Sequence, residues 1–270
     1  MEKLIKGSQV KDSEGASGKE PPFGFSILVE KGHEECGDSA FVFSDQKKLI
    51  AGVFDGVSGE PGAAMASSDA ARSAFDYLKG LDEAGEKELQ EALIRAHLSI
   101  RTGSTTASLL FLDKGGTFTL ASIGDSPIFS IDSKGEASLE LPLARVVKDN
   151  DSIFKFFHFR NAITSALGGP ADALDVHIRS GKLKKGEMLI LASDALNDNL
   201  YIETQDGYVT ESTGKKDLGK LVGGKKSAKA ICDALCKAIK TRIAKGKVER
   251  KGMVLVPKED DIALIVVLRS

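Results

Sequence analysis

Five aspartates adjoin short apolar segments that are typical of β-strands. Asp55, Asp125 and Asp194 follow such a segment, whereas Asp38 and Asp260 precede one. In an antiparallel sheet the end of one strand lies beside the start of its neighbour, so all five carboxylates can lie at one edge. Aspartate is also common at turns and helix caps, and each of the five taken alone has an equally good structural explanation.

Carboxylates crowded at one edge repel each other and raise each other's pKa values. A divalent cation removes that conflict, and a set of oxygen ligands without histidine or cysteine suits Mg²⁺ or Mn²⁺. Gly56 directly follows Asp55 and has no side chain, so its carbonyl oxygen can approach a metal closely. Taken together, the five aspartates predict a metal site.

The hydrophobic pattern indicates the elements that must position these residues. Apolar runs bounded by turn residues predict strands at 25–30, 39–43, 49–54, 105–112, 117–123, 127–131, 188–192 and 262–268. Helical spacing of apolar residues predicts helices at 63–79, 86–100 and 227–244. Because strands and helices do not alternate regularly, an antiparallel sheet or sandwich flanked by helices is favoured over a doubly wound parallel sheet. Glycines at 207, 214 and 223–224 predict loops.

The composition is that of a globular protein. Of the 270 residues, 41% are hydrophobic and 28% are charged, with a net charge of −2, which excludes a fully disordered chain. Residues 1–22 contain no continuous apolar segment and are predicted to form a flexible polar leader before a single domain at 23–270. No apolar run approaches the ~20 residues of a membrane-spanning helix, so we expect a cytoplasmic protein without membrane contact.

Cysteines and basic residues give weaker signals. Three cysteines are too few for a disulfide framework, and we expect Cys232 and Cys236, one helical turn apart, to pack in a core rather than bind zinc.

The segment 215–258 carries 14 lysines and arginines against three acids. It forms either a solvated helix face, which we favour, or a docking site for an acidic or phosphorylated partner. No aromatic residues interleave the basic ones in a nucleic-acid motif, so no nucleic-acid partner is expected.

Seven segments, in chain order over roughly residues 25–268, resemble motifs of the metal-dependent protein phosphatase 2C (PPM) family. They are GDSAFV (37–42), VFDGVSG (53–59), GSTTAS (103–108), IGDSPIF (123–129), NAITSALGG (161–169), LILASDALND (189–198) and DDIALIVV (260–267). The resemblance is to an atypical member of prokaryotic type. It implies an α+β fold of two antiparallel β-sheets packed as a sandwich with helices on both outer faces, four layers in all, and metals at one end.

The resemblance also implies a set of metal ligands. In the family pattern, Asp55 bridges two Mn²⁺ or Mg²⁺ ions and the Gly56 carbonyl binds one of them. Asp194 and Asp260 complete the ligand set of the other ion. Asp125, together with Asp194, holds a third, weaker ion.

The implied reaction needs no protein nucleophile. Asp55 bridges the two metals, Asp38 orients metal-bound water, and the hydroxide formed from the water between the metals attacks phosphorus directly. The implied substrates are phosphoserine and phosphothreonine in proteins, which are the products of Ser/Thr kinases, and a monomer is expected. Asp198 corresponds to a recurring acid with a structural role.

Of the positions that depart from the family pattern, two matter most. His33 stands where the family usually has a phosphate-binding arginine, and it lacks the bidentate fork of a guanidinium. Gly37 stands where the family has a side chain beside the first acidic residue. These changes weaken the grip on phosphate more than metal binding, so we predict an active phosphatase in which His33 contacts phosphate.

Two other functions are open at the level of sequence. A catalytically weak or silent pseudophosphatase would bind a phosphoprotein or a kinase, as the changes at His33 and Gly37 favour. The retained acids count against it, because a silent fold has no physical need for clustered like charges. A metal phosphoesterase acting on small molecules would be favoured by a deep pocket rather than a cleft.

Overall fold

The structure, a computed structural model, describes residues 1–148, 150–200, 203–205, 208–210, 218–250 and 253–270. Two six-stranded antiparallel sheets pack face to face, and helices cover the outer face of each. This four-layer α+β sandwich confirms the expected fold class.

The strands fall into three sheets. They are β1 (Glu2–Ile5), β2 (Ser13–Glu20), β3 (Phe23–Glu30), β4 (Ser39–Ser44), β5 (Lys48–Phe54), β6 (Ala107–Asp113), β7 (Thr117–Ile123), β8 (Ile128–Ile131), β9 (Ala137–Leu139), β10 (His177–Lys182), β11 (Met188–Ala192), β12 (Glu203–Gln205), β13 (Tyr208–Thr210), β14 (Val248–Arg250), β15 (Met253–Leu255) and β16 (Ile262–Arg269). The first sheet has the order β1-β4-β5-β6-β7-β10, the second β2-β3-β16-β11-β8-β9, and a smaller one β13-β12-β15-β14.

Helices form the two outer layers. They include α1 (Ala63–Lys79), α2 (Glu86–Ser99), α3 (Ile153–Phe159), α4 (Asp194–Leu200) and α5 (Ala228–Lys245). Helices α1 and α2 pack on the first sheet, and α5 packs on the second. Cys232 and Cys236 of α5 are buried in this second interface, as expected from their spacing. Within the described ranges, no helix has the length and apolar character needed to cross a membrane.

Strand β5 explains why the central strands are apolar at every position. Leu49, Ala51 and Val53 face the opposite sheet, whereas Ile50 and Phe54 face α1 and α2. Side chains of a strand alternate between its two faces, and here both faces are covered. Strand β16 is divided in the same way between the sandwich interior and α5. The same packing therefore fixes the strand ends at which the aspartates lie.

The prediction of a flexible leader at 1–22 is wrong. Strand β1 pairs with β4, and β2 pairs with β3 along its whole length, so this segment adds an edge strand to each sheet. Ile5 is buried in the sandwich core. In β2, SEGASGKE, partly buried residues alternate with exposed ones, but they are small or polar and give no hydrophobic signal. Backbone hydrogen bonds, which do not depend on side-chain type, hold this strand in place.

Other predicted features have mixed outcomes. The predicted strands and helices are all present, and the turn at 113–116 joins β6 to β7 with Gly116 at a φ of +89°. The sequence patterns do not predict strands β9, β10 and β12 to β15, nor helices α3 and α4. The loops expected around residues 207 and 214, and parts of the basic segment at 215–217 and 251–252, lie outside the described residues.

Candidate metal centre

The structure brings the five predicted aspartates to one end of the sandwich. Asp55 directly follows β5, Asp38 precedes the neighbouring β4, and Asp260 lies two residues before β16. Asp194 begins α4, and its backbone N–H donates to Oδ2 of Asp55 at 3.2 Å. Asp125 lies two residues after β7, and the charge of Asp194 raises its pKa. The antiparallel strand pairing thus gathers acids that are far apart in the sequence.

Backbone contacts fix Asp55 and Gly56 in place. The Asp55 carbonyl accepts from the Thr106 N–H and from Oγ1 of Thr105, both at 2.8 Å. Its own N–H donates to Oγ1 of Thr106, which also hydrogen-bonds to Ser126 at 2.6 Å. A Cβ at Gly56 would lie 2.8 Å from the Gly37 carbonyl oxygen, closer than real Cβ atoms come. This close approach explains the glycine after Asp55.

Burial makes the acid cluster electrostatically costly. It raises the pKa of Asp38 well above its usual range, and the charges of Asp261 and Asp260 add to that effect. Burial and the charge of Asp194 do the same for Asp55. Burial, with Asp194 and Asp198, raises the pKa of Asp125 to about 8. Such shifts mean that the fully ionised cluster lacks positive charge around it.

The chemistry of the donor set fits a divalent cation. Oδ2 of Asp38 and Oδ1 of Asp194 are buried and have no hydrogen-bond partner in the described part of the chain. Buried charged oxygens without a partner are expensive, and a hard cation such as Mg²⁺ or Mn²⁺ is their natural ligand. Within the described ranges, however, no three or more acidic, histidine or cysteine side chains form a ready-made metal site. A lysine ammonium lies among the carboxylates instead.

Sequence reasoning missed this lysine, Lys258, which it counted only within the basic segment. Its Nζ pairs with Oδ2 of Asp194, with Oδ2 of Asp260 at 2.7 Å and with Oδ2 of Asp198 at 3.9 Å. Its side chain is only 11% exposed. Burial opposes its charge, but these carboxylates and Asp55 outweigh burial and raise the pKa of Lys258 well above its usual value. Its spacing two residues before Asp260 was the available signal, because i and i+2 share a face in an extended chain.

His33 lies at the edge of the same site. Its Nε2 is 3.2 Å from Oδ1 of Asp260, and its side chain is 45% exposed. The loop that carries it is held by Asp261, a second residue missed from sequence, whose carboxylate accepts from the N–H groups of Gly32, His33 and Gly37. His33 and Gly37 line a cleft of about 420 Å³ that also reaches Gly56. The predicted phosphate-binding residue therefore adjoins the acid cluster.

Sequence comparison finds one relative with a related description. No protein-family model matches the chain. The chain is 24% identical over 198 residues to "Probable protein phosphatase 2C 1" of Oryza sativa subsp. japonica, covering 69% of this chain and 54% of the relative. The chain thus spans about half the length of that curated relative.

Solved structures share the fold. The chain is similar to RsbX in complex with magnesium, with a TM-score of 0.64, 18% identity and coverage of 95% of this chain and all of that one. It is similar to a serine/threonine phosphatase of S. agalactiae, with a TM-score of 0.68, 15% identity and coverage of 92% and 100%. At such identities these likenesses establish the four-layer sandwich rather than an activity. The chain is therefore similar in sequence to a protein phosphatase 2C and shares its fold with solved serine/threonine phosphatases.

Proposed function

We propose that this protein is a metal-dependent protein serine/threonine phosphatase. The observation that carries the proposal is the gathering of buried aspartates from separate strands at one end of the sandwich, with oxygens of Asp38 and Asp194 left without partners. Maintaining like charges in a buried cluster lowers stability, so their presence favours a role in binding a cation. Similarity to phosphatases of the 2C type points to the same class of reaction.

The proposed ligands are the residues named by the sequence pattern. As the resemblance implies, Asp55 and the Gly56 carbonyl would hold one ion, Asp55, Asp194 and Asp260 a second, and Asp125 with Asp194 a third, weaker one. Mn²⁺ or Mg²⁺ bound here supplies positive charge for the phosphoryl oxygens and lowers the pKa of water. The backbone bonds from Thr105 and Thr106 hold Asp55 rigid, which limits reorganisation during the reaction.

Asp38 and His33 are the remaining proposed participants. Asp38 is buried beside Asp260 and Asp261, and a carboxylate there can accept a proton from water and orient it. His33 lines the cleft and offers one N–H to a phosphate oxygen, a weaker contact than a guanidinium would make. The proposed substrate is a phosphorylated serine or threonine of a protein. The unpaired cysteines favour a reducing location such as the cytoplasm.

A second candidate function has its own supporting observation. Lys258 already neutralises part of the acid cluster, and the described carboxylates do not form a ready-made metal site. A catalytically silent member of the family that binds a phosphoprotein would have this arrangement. The two candidates differ in whether added metal produces turnover.

Hydrolysis of a phosphothreonine peptide with Mn²⁺ or Mg²⁺ tests the proposal. We expect metal-dependent turnover by the wild-type protein, lost by about 10³-fold in Asp55→Asn and in Asp194→Asn, because each removes a charged metal ligand. Asp132→Asn, at an exposed turn, is the control and should retain wild-type turnover. A His33→Ala variant should raise KM with little change in kcat.

Two results would contradict the proposal. Turnover that persists in both Asp55→Asn and Asp194→Asn would show that another part of the protein, or a contaminant, carries the activity. No turnover with any divalent metal, in a protein that calorimetry shows to bind metal and a phosphopeptide, would establish the silent binding module instead.

A further inference from the structure

The Lys258 ammonium lies where a cation is expected, between two carboxylates that the proposed function assigns to a metal. It contacts Oδ2 of Asp194 and Oδ2 of Asp260, and it is within 3.9 Å of Asp198. An ammonium donates three hydrogen bonds to oxygen and so satisfies the same acceptors as a hard metal ion. It carries a single charge, however, which leaves the cluster with an excess of negative charge.

The segment before Asp260 is built to hold this lysine in place. Buried Asn199 of α4 donates to the Lys258 carbonyl and accepts from its N–H, both at 3.0 Å. Arg160 donates to the carbonyls of Val256 and Pro257 at 3.1 and 3.4 Å. Four hydrogen bonds from two side chains therefore fix the backbone on and before Lys258. These backbone hydrogen bonds hold Lys258 at the site, as would not be expected for a mobile surface lysine.

We propose that the Lys258 side chain occupies the metal position between Asp194 and Asp260 and competes with a divalent cation for it. The inference rests on the proposed function, because it takes these two carboxylates as metal ligands. The oxygens used by Lys258 are different from Oδ2 of Asp38 and Oδ1 of Asp194, which have no partner in the described part of the chain. Lys258 therefore leaves those two oxygens free, whereas an ion held by Asp194 and Asp260 would have to displace the Lys258 ammonium.

If Lys258 is removed, competition predicts tighter metal binding and a purely structural role predicts weaker metal binding. If Lys258 competes, its removal frees two carboxylates and strengthens metal binding, because a positive charge at the site repels a divalent cation. If Lys258 only holds the carboxylates in place, its removal disorders them and weakens metal binding. A change in metal affinity therefore separates the two roles without any measurement of turnover.

The test is calorimetric titration of Mn²⁺ into the full chain. We expect Lys258→Met to bind Mn²⁺ at least about tenfold more tightly than the wild type and to take up one more ion per chain. Mn²⁺ should also raise its melting temperature more than that of the wild type, since tighter binding to the folded state stabilises it more. Lys258→Arg keeps the positive charge and should bind within about threefold of the wild type.

Two further variants complete the design. Lys229→Met removes an exposed lysine of α5, 62% exposed and paired with Asp233, and should leave the Mn²⁺ titration unchanged. If Lys258→Met does not fold, Asn199→Ala takes its place, because it releases the Lys258 backbone without altering a carboxylate. We expect about threefold tighter Mn²⁺ binding in that variant.

Unchanged or weaker Mn²⁺ binding in Lys258→Met, or in Asn199→Ala as its substitute, would overturn the inference. Its failure is distinguishable from failure of the proposed function. Tighter binding by Lys258→Met in a protein without phosphatase turnover supports competition and rejects the activity. If the wild type shows turnover and all variants give the same Mn²⁺ titration, the phosphatase activity is supported and competition by Lys258 is rejected.

Discussion

Strand β5 connects two ends of the sandwich that bury a lysine in opposite ways. At its start, Lys48 is 3% exposed, and its ammonium donates to the carbonyls of Leu78 and Lys79 at the end of α1 and of Leu81 just beyond it. These acceptors are neutral, and burial lowers the pKa of Lys48. Just beyond its other end, Asp55 enters the acid cluster, where the carboxylates raise the pKa of Lys258.

The two ends differ in whether their buried polar groups are all hydrogen-bonded within the protein. We call the Lys48 end self-sufficient and the Lys258 end incomplete. Two of the three carbonyls at the Lys48 end, those of Leu78 and Lys79, belong to the last turn of α1, where cations are favourable, and Leu81 follows the helix. These acceptors need nothing from outside the protein. At the Lys258 end, one ammonium serves several carboxylates, and oxygens of Asp38, Asp194 and Asp198 have no hydrogen-bond partner among the described residues. An incomplete polar site is costly unless a ligand completes it. The comparison therefore supports the proposal that the acid end binds a ligand.

The largest effect on folding is expected at the self-sufficient end. Lys48→Met removes three hydrogen bonds from buried carbonyls and should lower the free energy of unfolding by about 3 kcal/mol. Denaturant unfolding measures this loss. Turnover per folded molecule should stay unchanged, because the acid cluster lies at the other end of β5. A loss below about 1 kcal/mol would mean that water replaces the ammonium readily and that the two ends differ less than proposed.

The sequence could predict the acid cluster because strand ends carry clear signals. Asp55 and Asp194 each follow an apolar strand, and antiparallel pairing then brings strand ends together. Apolar runs such as that of β16 were equally visible, because burial on both faces leaves no polar positions. These features depend on local composition and on pairing rules that hold for any sandwich.

The features that the sequence does not predict, such as strand β2 and the burial of Lys258, depend on contacts between distant parts of the chain. Strand β2 is held by backbone hydrogen bonds to β3 and needs no apolar side chains. Lys258 ends a segment rich in lysine, and only its spacing two residues before Asp260 sets it apart from the other lysines of that segment. Its burial is set by Asn199 and Arg160, which lie 59 and 98 positions away in the chain. Such long-range support becomes visible only in the folded structure.

A smaller effect of opposite sign is expected at the acid end. Burial and the charges of Asp194 and Asp198 raise the pKa of Asp125 from 3.8 in the unfolded chain to about 8. The folded state thus binds more protons than the unfolded state between about pH 4 and pH 8, so stability falls as pH rises through that window. In chelator, Asp125→Asn should gain about 2 kcal/mol of unfolding free energy at pH 8 and almost nothing at pH 4.

Urea unfolding at several pH values checks this prediction. Asp132→Asn gives the matched control, because hydrogen bonds from the Glu136 backbone N–H and its neighbours lower the pKa of Asp132, in spite of the small effect of its own desolvation. Its amide variant should therefore lose stability at neutral pH rather than gain it. If Asp125→Asn is no more stable than the wild type at pH 8, the cluster is better neutralised without metal than the comparison requires.

The smallest expected effect tests how the incomplete end is held in place. Thr106→Val removes the hydroxyl that joins the Asp55 N–H to Ser126, at 3.2 and 2.6 Å, and should cost about 1 kcal/mol of unfolding free energy. Because Asp55 loses a positioning contact, turnover should fall about tenfold, mostly in kcat. Thr119→Val makes the same substitution in β7, where the hydroxyl bonds only to Ser180 among the contacts of the described chain, at 3.3 Å. Thr119→Val should lower the free energy of unfolding by the same amount as Thr106→Val but retain wild-type turnover, since no carboxylate of the described residues is hydrogen-bonded to the Thr119 hydroxyl. Equal turnover in the two variants would show that β5 and its packing hold Asp55 without help from the threonine.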